Sequence, residues 1–519
     1  MRLKRVIPFL ICLLHLVVLI YPARQHPFGN YATETDFYHL FAPDATRILA
    51  GEMPENTYQG PGYPVAIALI SKFSGLELFA VGKWFSVGCA ALCGGLIFLL
   101  FRGLFGFAIG IGAQLLFIVS GEFPQFSINA TSDVPFLMLA LLTLVLFLGR
   151  GSTTFERTFL AAFLAGLSYL TRYNGIFLVF ACLAGIVVFN LFARSWKDRI
   201  LLAGGFLIIF TLTVSPWLYL NGRRHGSPLY NTNYLNMATL FYPELVAGKT
   251  NQDGTRVLAE KFSSFGDVLR YNPGQVWRRY LRTLWESLRN SLTERLVNVW
   301  VGILALIGML TALWRSRTRE LAVLLVSGLL YLLLMGLNHW ETRYYFFLGV
   351  LYAGLAAYAI GAIGGMVRER GGLTGRKARV WQLLPVGLFL LIFGVSLAES
   401  RADVRKFLAA QPWEMASARD YLLKDYAEGT AKLRIVARKP HLPYMVHAEW
   451  VFFPPVRSLD EFRTWVSQND VDFIVIGKRE LKERKELTPL GKPSKAPEWL
   501  NPVWIDDETG LILYRVGSF

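Results

Sequence analysis

Long apolar runs divide the chain, separated by short polar or basic stretches. A helix needs about 20 mostly apolar residues to cross a bilayer. Runs near 6–20, 77–101, 104–120, 133–149, 158–173, 175–193, 200–220, 296–314, 321–338, 344–366 and 380–398 meet or approach that length, which predicts about eleven transmembrane helices. MRLKR precedes the first run, as in a signal peptide, but no small-residue cleavage site follows, so it reads as a retained anchor. In residues 33–51, Phe37, Leu40, Phe41, Ile48 and Leu49 recur at helical spacing and Gly51 ends the pattern. That predicts an amphipathic helix lying on the membrane, broken or restarted at Pro43. The run 65–73, after the rigid turn Gly60-Pro61-Gly62-Tyr63-Pro64, is too short to span.

Two later regions read differently. Residues 221–295 mix polar residues with aromatics, which predicts helices packed over the membrane mouth. The Arg-rich part, 278–295, fits either a headgroup-facing helix side or an attraction for an anionic lipid. Residues 411–428 have helical periodicity, 434–438, 471–477 and 510–516 read as strands, and Ser458 starts a well-capped helix. Strands alternating with helices predict a small soluble α/β domain. The expected organisation is a polytopic α-helical transmembrane domain over 1–398, with outer loops 21–76 and 221–295, then a non-cytoplasmic α/β domain over 399–519.

Composition supports the membrane reading. The chain has 519 residues, 54% apolar and 17% charged, against about 25% charged in soluble domains. Disorder and a disulfide scaffold are excluded. Cys12, Cys89, Cys93 and Cys182 all lie in apolar runs, which suits structural thiols and implies no disulfide. The net charge of +16 is topological and does not imply nucleic-acid binding. Lys and Arg crowd the loops MRLKR, FRGLFG, GRGSTTFERT, ARSWKDR, WRSRTRE and VRERGGLTGRKAR, whereas the short alternate connections hold only Arg172 and Arg343. Positive charge is retained in the cytoplasm, so the N-terminus is expected there. An odd span count then puts the C-terminal domain outside an inner cell membrane.

Ionisable residues at membrane helix ends are functional candidates because burying them is costly. Four clusters qualify, all on the expected outer side. Glu34 and Asp36 follow the first span; Thr33-x-x-Asp36 also fits a capping box, and Asp36 fits a general base. Asp133 starts the fourth span. Arg172 sits with Tyr173 in a tight helical bend, as a snorkelling residue or a phosphate contact. His339, Glu341 and Arg343 lie at a helix start, where Arg343 could pair with Glu341 or grip a phosphate bidentately. No ligand spacing demands a metal, and no cofactor is required, though His339, Glu341 and the carboxylates leave room for a divalent cation. His441 and His447, six apart, suit surface or packing roles. No nucleotide fingerprint, nucleophile elbow or internal repeat is evident.

These residues bring a family into view. The first-loop Asp36, the Gly60–Pro64 turn with its apolar run ending in Phe73-Ser74-Gly75, LFRGLFG at 100–106 with its preceding Leu99, ATSDVPF at 130–136, AGLSYLTRYNG at 165–175 and ETRYYF at 341–346 follow a familiar order. In that order the chain resembles the dolichyl-phosphate-mannose protein mannosyltransferase superfamily, in its PMT-2 or RgtA/B/C/D-like branch of the GT-C fold. The likeness covers all but the C-terminal domain. It implies transfer of a sugar from a polyprenyl-phosphate donor to an acceptor lipid, glycan or protein on the non-cytoplasmic face, among membrane lipids and without nucleic acid. It implies Asp36 as the catalytic base and Arg172 and Arg343 near the donor phosphate. Glu34, Tyr63, Asp133, Tyr173, His339 and Glu341 complete the expected substrate-binding set. The family often has adjacent acidic residues in the first loop, whereas Thr35 separates Glu34 and Asp36 here. Two other classes stay in view: a flippase of lipid-linked saccharides, and a noncatalytic assembly protein working through 399–519.

Overall fold

The structure is a computed structural model that describes residues 2–149, 153–192, 194–293, 295–316, 318–369, 375–426 and 433–517. Parts of the expected cytoplasmic loops at 150–152 and 370–374, and the end of the 411–428 helix, lie outside the described residues.

Among the described residues, each of the eleven apolar runs contains a helix. They form α1 (Arg2–Arg24), α2 (Leu78–Phe105), α3 (Phe107–Ile118), α4 (Asp133–Leu148), α5 (Thr154–Thr171), α6 (Ile176–Val187), α7 (Trp196–His225), α8 (Val299–Arg315), α9 (Arg319–Met335), α10 (Phe346–Glu369) and α11 (Gly375–Ala409). Among the described residues, five helical stretches are long and apolar enough to cross a membrane: Val6–Arg24, Leu78–Phe105, Trp196–His225, Thr342–Gly365 and Leu383–Asp425. Phe107–Ile118, Asp133–Leu148, Tyr173–Val187 and Val299–Arg315 are apolar but shorter.

Contacts divide the chain into two compact units: Met1–Pro27, Asp44–Leu245 and Val257–Ala409 in one, Phe28–Pro43, Val246–Arg256 and Ala410–Phe519 in the other. This division differs from the expected boundary at 398/399. That boundary falls inside α11, where a continuous helix offers no break in packing.

In the helical unit α10 lies deepest. It packs along α8 and α3, α2 packs against α3 and α4, and α5 lies between α4 and α7. Small residues allow the close approach that drives helix association in lipid. A Cβ on Gly308 of α8 would lie 2.0 Å from the Leu355 carbonyl oxygen of α10. At one set of helix ends, Arg157 Nη2 donates to Phe147 O (2.8 Å) and Arg199 Nη1 to Val187 O (2.8 Å). These guanidinium groups satisfy the last carbonyls of α4 and α6, where cations are favoured. Beyond α7 the chain forms Tyr234–Phe241, Asn251–Lys261, Phe265–Tyr271 and Pro273–Thr293. The last is amphipathic: Thr283, Ser287 and Ser291 are buried, while Trp277, Leu281 and Trp285 are exposed.

The second unit carries a five-stranded sheet of order β2-β1-β3-β5-β4, built from β1 (Arg434–Val436), β2 (Glu449–Val451), β3 (Phe473–Ile476), β4 (Leu500–Asp506) and β5 (Leu511–Val516). β1 runs parallel to β2 and β3, and β5 runs antiparallel to β3 and β4. Side chains alternate across the sheet. Ile435, Phe473, Val475, Leu511 and Leu513 pack with Met415, Ala418 and Leu422 of helix Trp413–Asp425. Val436, Ile474, Ile476, Ile512 and Tyr514 pack with Phe462 and Val466 of helix Leu459–Gln468. Three of these strands stand where alternation predicts them. β2, of three residues, and β4, interrupted by Pro502, do not announce themselves in sequence.

The first-loop segment Phe28–Pro43 belongs to this sheet-bearing unit, not to a helix lying alone on a membrane. Its tie points are far along the chain: Tyr31 OH donates to Glu414 Oε1 (2.6 Å), His441 Nε2 meets Asn30 O (2.9 Å), and Lys439 Nζ donates to Thr35 Oγ1 (3.0 Å). Tyr38 packs its ring on His441 and Tyr444, with centroids at 4.8 and 4.7 Å. His441, fully buried, thus has the packing role; burial pushes it down to about 3, so its ring is neutral.

Candidate active site

Within the helical unit, charged residues from three helix ends meet. Asp133 opens α4, Arg172 follows the last residue of α5, and Arg343 lies in the short 3-10 turn Thr342–Tyr345 that leads into α10. Arg172 Nη1 donates to Asp133 Oδ1 at 2.5 Å and to Ser132 Oγ at 3.3 Å. Arg343 Nη1 lies 3.7 Å from Asp133 Oδ2, and its Nε donates to Glu341 Oε2 at 2.6 Å. Glu341 also pairs with His339, Nε2 to Oε1, at 3.0 Å. The side chains of Asp133 and Arg343 are 2% and 8% exposed, so each charge depends on the others for its solvation. Tyr344 lies between the two guanidinium groups, whose carbons stand 5.1 Å (Arg172) and 4.9 Å (Arg343) from its ring centre.

Asp133, Arg172, His339, Glu341 and Arg343, each a polar residue at a helix end that the membrane would penalise if unpaired, stand together in the structure. Burial alone would raise the Glu341 carboxyl. The hydrogen bond from His339 and the charge of Arg343 outweigh burial and bring it down to about 2, so the carboxylate is charged at any physiological pH.

A cavity of about 190 Å³ opens beside this network, lined by Arg172, Tyr173, Asn174, Tyr344, Tyr58 and Gln59 among others. Tyr173 OH donates to Gln59 O (3.3 Å) and accepts from Trp217 Nε1 (3.1 Å); Ser132 Oγ donates to Gln59 Oε1 (3.1 Å). Asn174 Nδ2 donates to Tyr331 OH (3.2 Å), and Tyr331 OH to Tyr344 O (2.5 Å). These bonds join the first-loop turn, the α5–α6 bend and the start of α10 into one rim.

The Gly60–Pro64 motif explains itself here. It begins the helix Gly62–Ser74, and a Cβ on Gly60 would lie 2.0 Å from the Leu170 carbonyl oxygen. Backbone meets backbone, so nothing flexible yields. Gly60→Ala should lower the unfolding temperature of the purified protein by an amount matching an overpacking cost of about 1–3 kcal/mol. Gly204→Ala in α7, where a Cβ meets nothing within 4 Å, should leave it unchanged; equal behaviour of the two variants would refute the close-approach argument.

Two expected substrate contacts, Tyr63 and Glu34, and the expected base, Asp36, are not among the residues that line this cavity. Tyr63 is 1% exposed and stacks on Phe85 at 6.4 Å, so it is a packing residue beneath the turn, outside the cavity lining. Glu34 is fully buried in the second unit, where its Oε2 accepts from both the backbone N–H and Nδ2 of Asn30 at 3.0 Å. It holds a turn. Asp36 heads the π-helical turn Phe37–Phe41 without capping it through its side chain. Pro43 supplies the reason for the wide turn: it has no N–H for the carbonyl four residues back, and the Ala42 N–H bonds to Phe37 O instead. Such single π-turns recur at functional sites.

Within that unit Asp36 exerts its charge on His39 and Lys439. Burial and Arg438 bring Lys439 from 10.5 down to about 8, against the pull of Asp36. The unfolded chain then binds more protons between about pH 8 and 10.5, so this group adds stability as pH rises through that window. Thermal unfolding across the window should show a rise that Lys439→Met removes.

Among the described residues, no three His, Cys, Asp or Glu side chains gather as they would around a metal ion. His339 and Glu341 find no further donor of that kind, and no step is routed through a metal. Sequence reading missed several polar residues. Asp44 is 4% exposed and accepts from the Glu55 and Asn56 N–H groups, fixing the loop before Tyr58. Lys83 is buried inside an apolar run with its Nζ donating to His26 O at 2.7 Å. A lone lysine in such a run was the available signal.

Comparison with known proteins fits this geometry. Residues 58–220, which carry Gln59, Asp133, Arg172 and Tyr173, match the family model of dolichyl-phosphate-mannose-protein mannosyltransferase. No curated protein matches by sequence. The archaeal oligosaccharyltransferase AglB from Archaeoglobus fulgidus, solved with an inhibitory peptide and a dolichol-phosphate, is similar with a TM-score of 0.57 and 13% identity, covering 92% of this chain and 70% of its own. An Archaeoglobus fulgidus oligosaccharyltransferase solved with Zn and sulfate gives a TM-score of 0.59 at 13% identity, with 91% of this chain and 68% of its own covered. ArnT from Cupriavidus metallidurans bound to undecaprenyl phosphate gives 0.56 at 13% identity and covers 98% of this chain and 97% of its own. The chain thus shares the GT-C fold of these structures, and the dolichyl-phosphate-mannose-protein mannosyltransferase match falls on residues 58–220 within it.

Proposed function

We propose that the protein transfers a sugar from a polyprenyl-phosphate-linked donor to an acceptor hydroxyl on the non-cytoplasmic face of the membrane. The observation that carries this reading is the pair of buried guanidinium groups, Arg172 and Arg343, held by one carboxylate at the rim of a polar cavity. A lipid-linked sugar keeps its tail in the bilayer and its phosphate at headgroup depth. The phosphate leaves with the electron pair of the glycosidic bond, so preorganised positive charge beside it lowers the barrier. Arg172 and Arg343 are assigned that role. Glu341, the more exposed of their two carboxylate partners at 35%, is the one a phosphate would displace. Asp36 is assigned the base that takes the acceptor hydroxyl proton, in a single displacement that inverts the anomeric carbon. The basic loops and the capping arginines at the other helix ends favour a cytoplasmic N-terminus. Structures of this fold with dolichol-phosphate and undecaprenyl phosphate bound support the donor class. A flippase reading finds no such support.

The test is transfer by purified protein in nanodiscs, supplied with polyprenyl-phosphate sugars and delipidated envelope acceptors, with products read by mass spectrometry and the anomeric configuration by NMR. Transfer with inversion is expected. Transfer from nucleotide sugars alone, or retention of configuration, would overturn the reading.

A further inference from the structure

The turn that Asp36 heads has two faces. Inward, Phe37 and Tyr38 are buried and seat the turn against Tyr444. Outward, His39 is exposed and stands edge-on to two other rings, Trp450 at 4.9 Å and 89° and Phe452 at 5.8 Å and 84°. Trp450 and Phe452 are two residues apart in the extended stretch that contains β2, so they share one side of it, with ring centroids 4.1 Å apart. Trp450 is held by its Nε1, which donates to Ala437 O (2.8 Å). Phe452 remains 41% exposed. Single exposed apolar side chains are ordinary on a protein surface, but here three rings touch and form a shelf. Charged groups border it. Asp36 and Lys439 both act on His39 through their charges, and Lys439 Nζ donates to Thr35 Oγ1 (3.0 Å).

We infer that this shelf is the acceptor subsite and that the acceptor is a glycan, one sugar ring of which packs on Phe452 and the open edges of Trp450 and His39. The face of an aromatic ring is negative, and the C–H face of a pyranose is the weakly positive apolar surface that matches it. The hydroxyls of a ring lying there stand out from its edge and need polar partners, which Asp36 and Lys439 supply at the border of the shelf. Two other occupants fit worse. Lipid tails would strip water from both charges. A peptide would pair with the free edge of β2, which is only three residues long and too short to hold one in register. The inference rests on the assignment of Asp36 as the base and names the acceptor class that this assignment leaves open.

The experiment reads equilibrium binding to the full-length protein in nanodiscs by saturation-transfer NMR. The probes are the methyl β-glycosides of glucose, galactose and mannose, a short peptide rich in serine and threonine, and undecaprenyl phosphate. At least one glycoside should bind, with the strongest transfer from aromatic protons to its C–H face. Phe452→Ala should weaken that binding about two- to tenfold, the size of one aromatic contact, while Phe452→Tyr keeps it. Where Phe452→Ala fails to fold, His39→Ala decides by the same measure. Undecaprenyl phosphate should bind parent and variants equally, which places the donor away from the shelf. No glycoside bound, or binding unchanged by the alanine substitution, with undecaprenyl phosphate still bound, would overturn this inference and leave the enzymatic reading standing. Peptide binding with that dependence on Phe452 would overturn it in favour of a protein acceptor. A parent protein that does not bind undecaprenyl phosphate would lose the enzymatic reading, and this inference with it.

Discussion

Asp36→Asn should abolish sugar transfer while the protein still inserts and purifies normally. The substitution keeps shape and removes the proton acceptor, and a positioned base typically contributes about 10²–10⁴-fold to rate. The comparison that gives the result meaning is Glu34→Gln. Glu34 has no exposed surface and accepts two hydrogen bonds from Asn30; the amide keeps one acceptor and turns its other end into a donor. Its effect should appear in stability, at about 1–3 kcal/mol, with transfer by the folded fraction retained. Initial rates in nanodiscs, normalised to folded protein, decide the matter. Unchanged transfer in the Asp36 variant would end its assignment as the base, and a pattern reversed between the two variants would move the role to Glu34.

The second large effect belongs to Asp133. Its carboxylate, 2% exposed, is shared by Arg172 and Arg343. Asp133→Asn leaves two guanidinium groups in low-dielectric surroundings with one charge fewer between them. Breaking a buried pair in this way costs about 3–5 kcal/mol. The variant should therefore unfold at distinctly lower temperature in detergent and lose transfer as well. Arg172→Gln in the same chain should recover part of the stability, because the orphaned charge has gone, but none of the activity. A single variant as stable as the parent would show that the network is not interdependent.

Much of the helical unit was legible in sequence because the bilayer imposes one rule on length and another on charge. Runs of apolar residues became helices, and the polar residues stranded at their ends, Asp133, Arg172, Glu341 and Arg343, pair with one another because charge near lipid is costly unless answered. The cavity was not legible. Asparagine is an ordinary turn residue, and nothing in the spacing of Asn174, Asn231, Asn236 and Asn338 says that distant turns converge. Tyr63 stands in a conspicuous motif, and the close approach of Gly60 to Leu170 that the motif serves could not be read from its spacing. Glu34, the neighbouring carboxylate of the first loop, accepts two hydrogen bonds from Asn30 that its place in the sequence does not announce.

The ties that fix the segment around Asp36 span 383, 404 and 411 positions of chain, from Tyr31 to Glu414, Thr35 to Lys439 and Asn30 to His441. Synthesis delivers the two halves of each tie at very different times. While the ribosome is still threading helices into the bilayer, the residues that will surround Asp36 have not been made. Contacts of such separation form late and carry a high closure entropy. Chemistry that depends on this segment thus waits until synthesis has passed residue 441, and a nascent chain stalled before that point would carry the arginines without a seated Asp36.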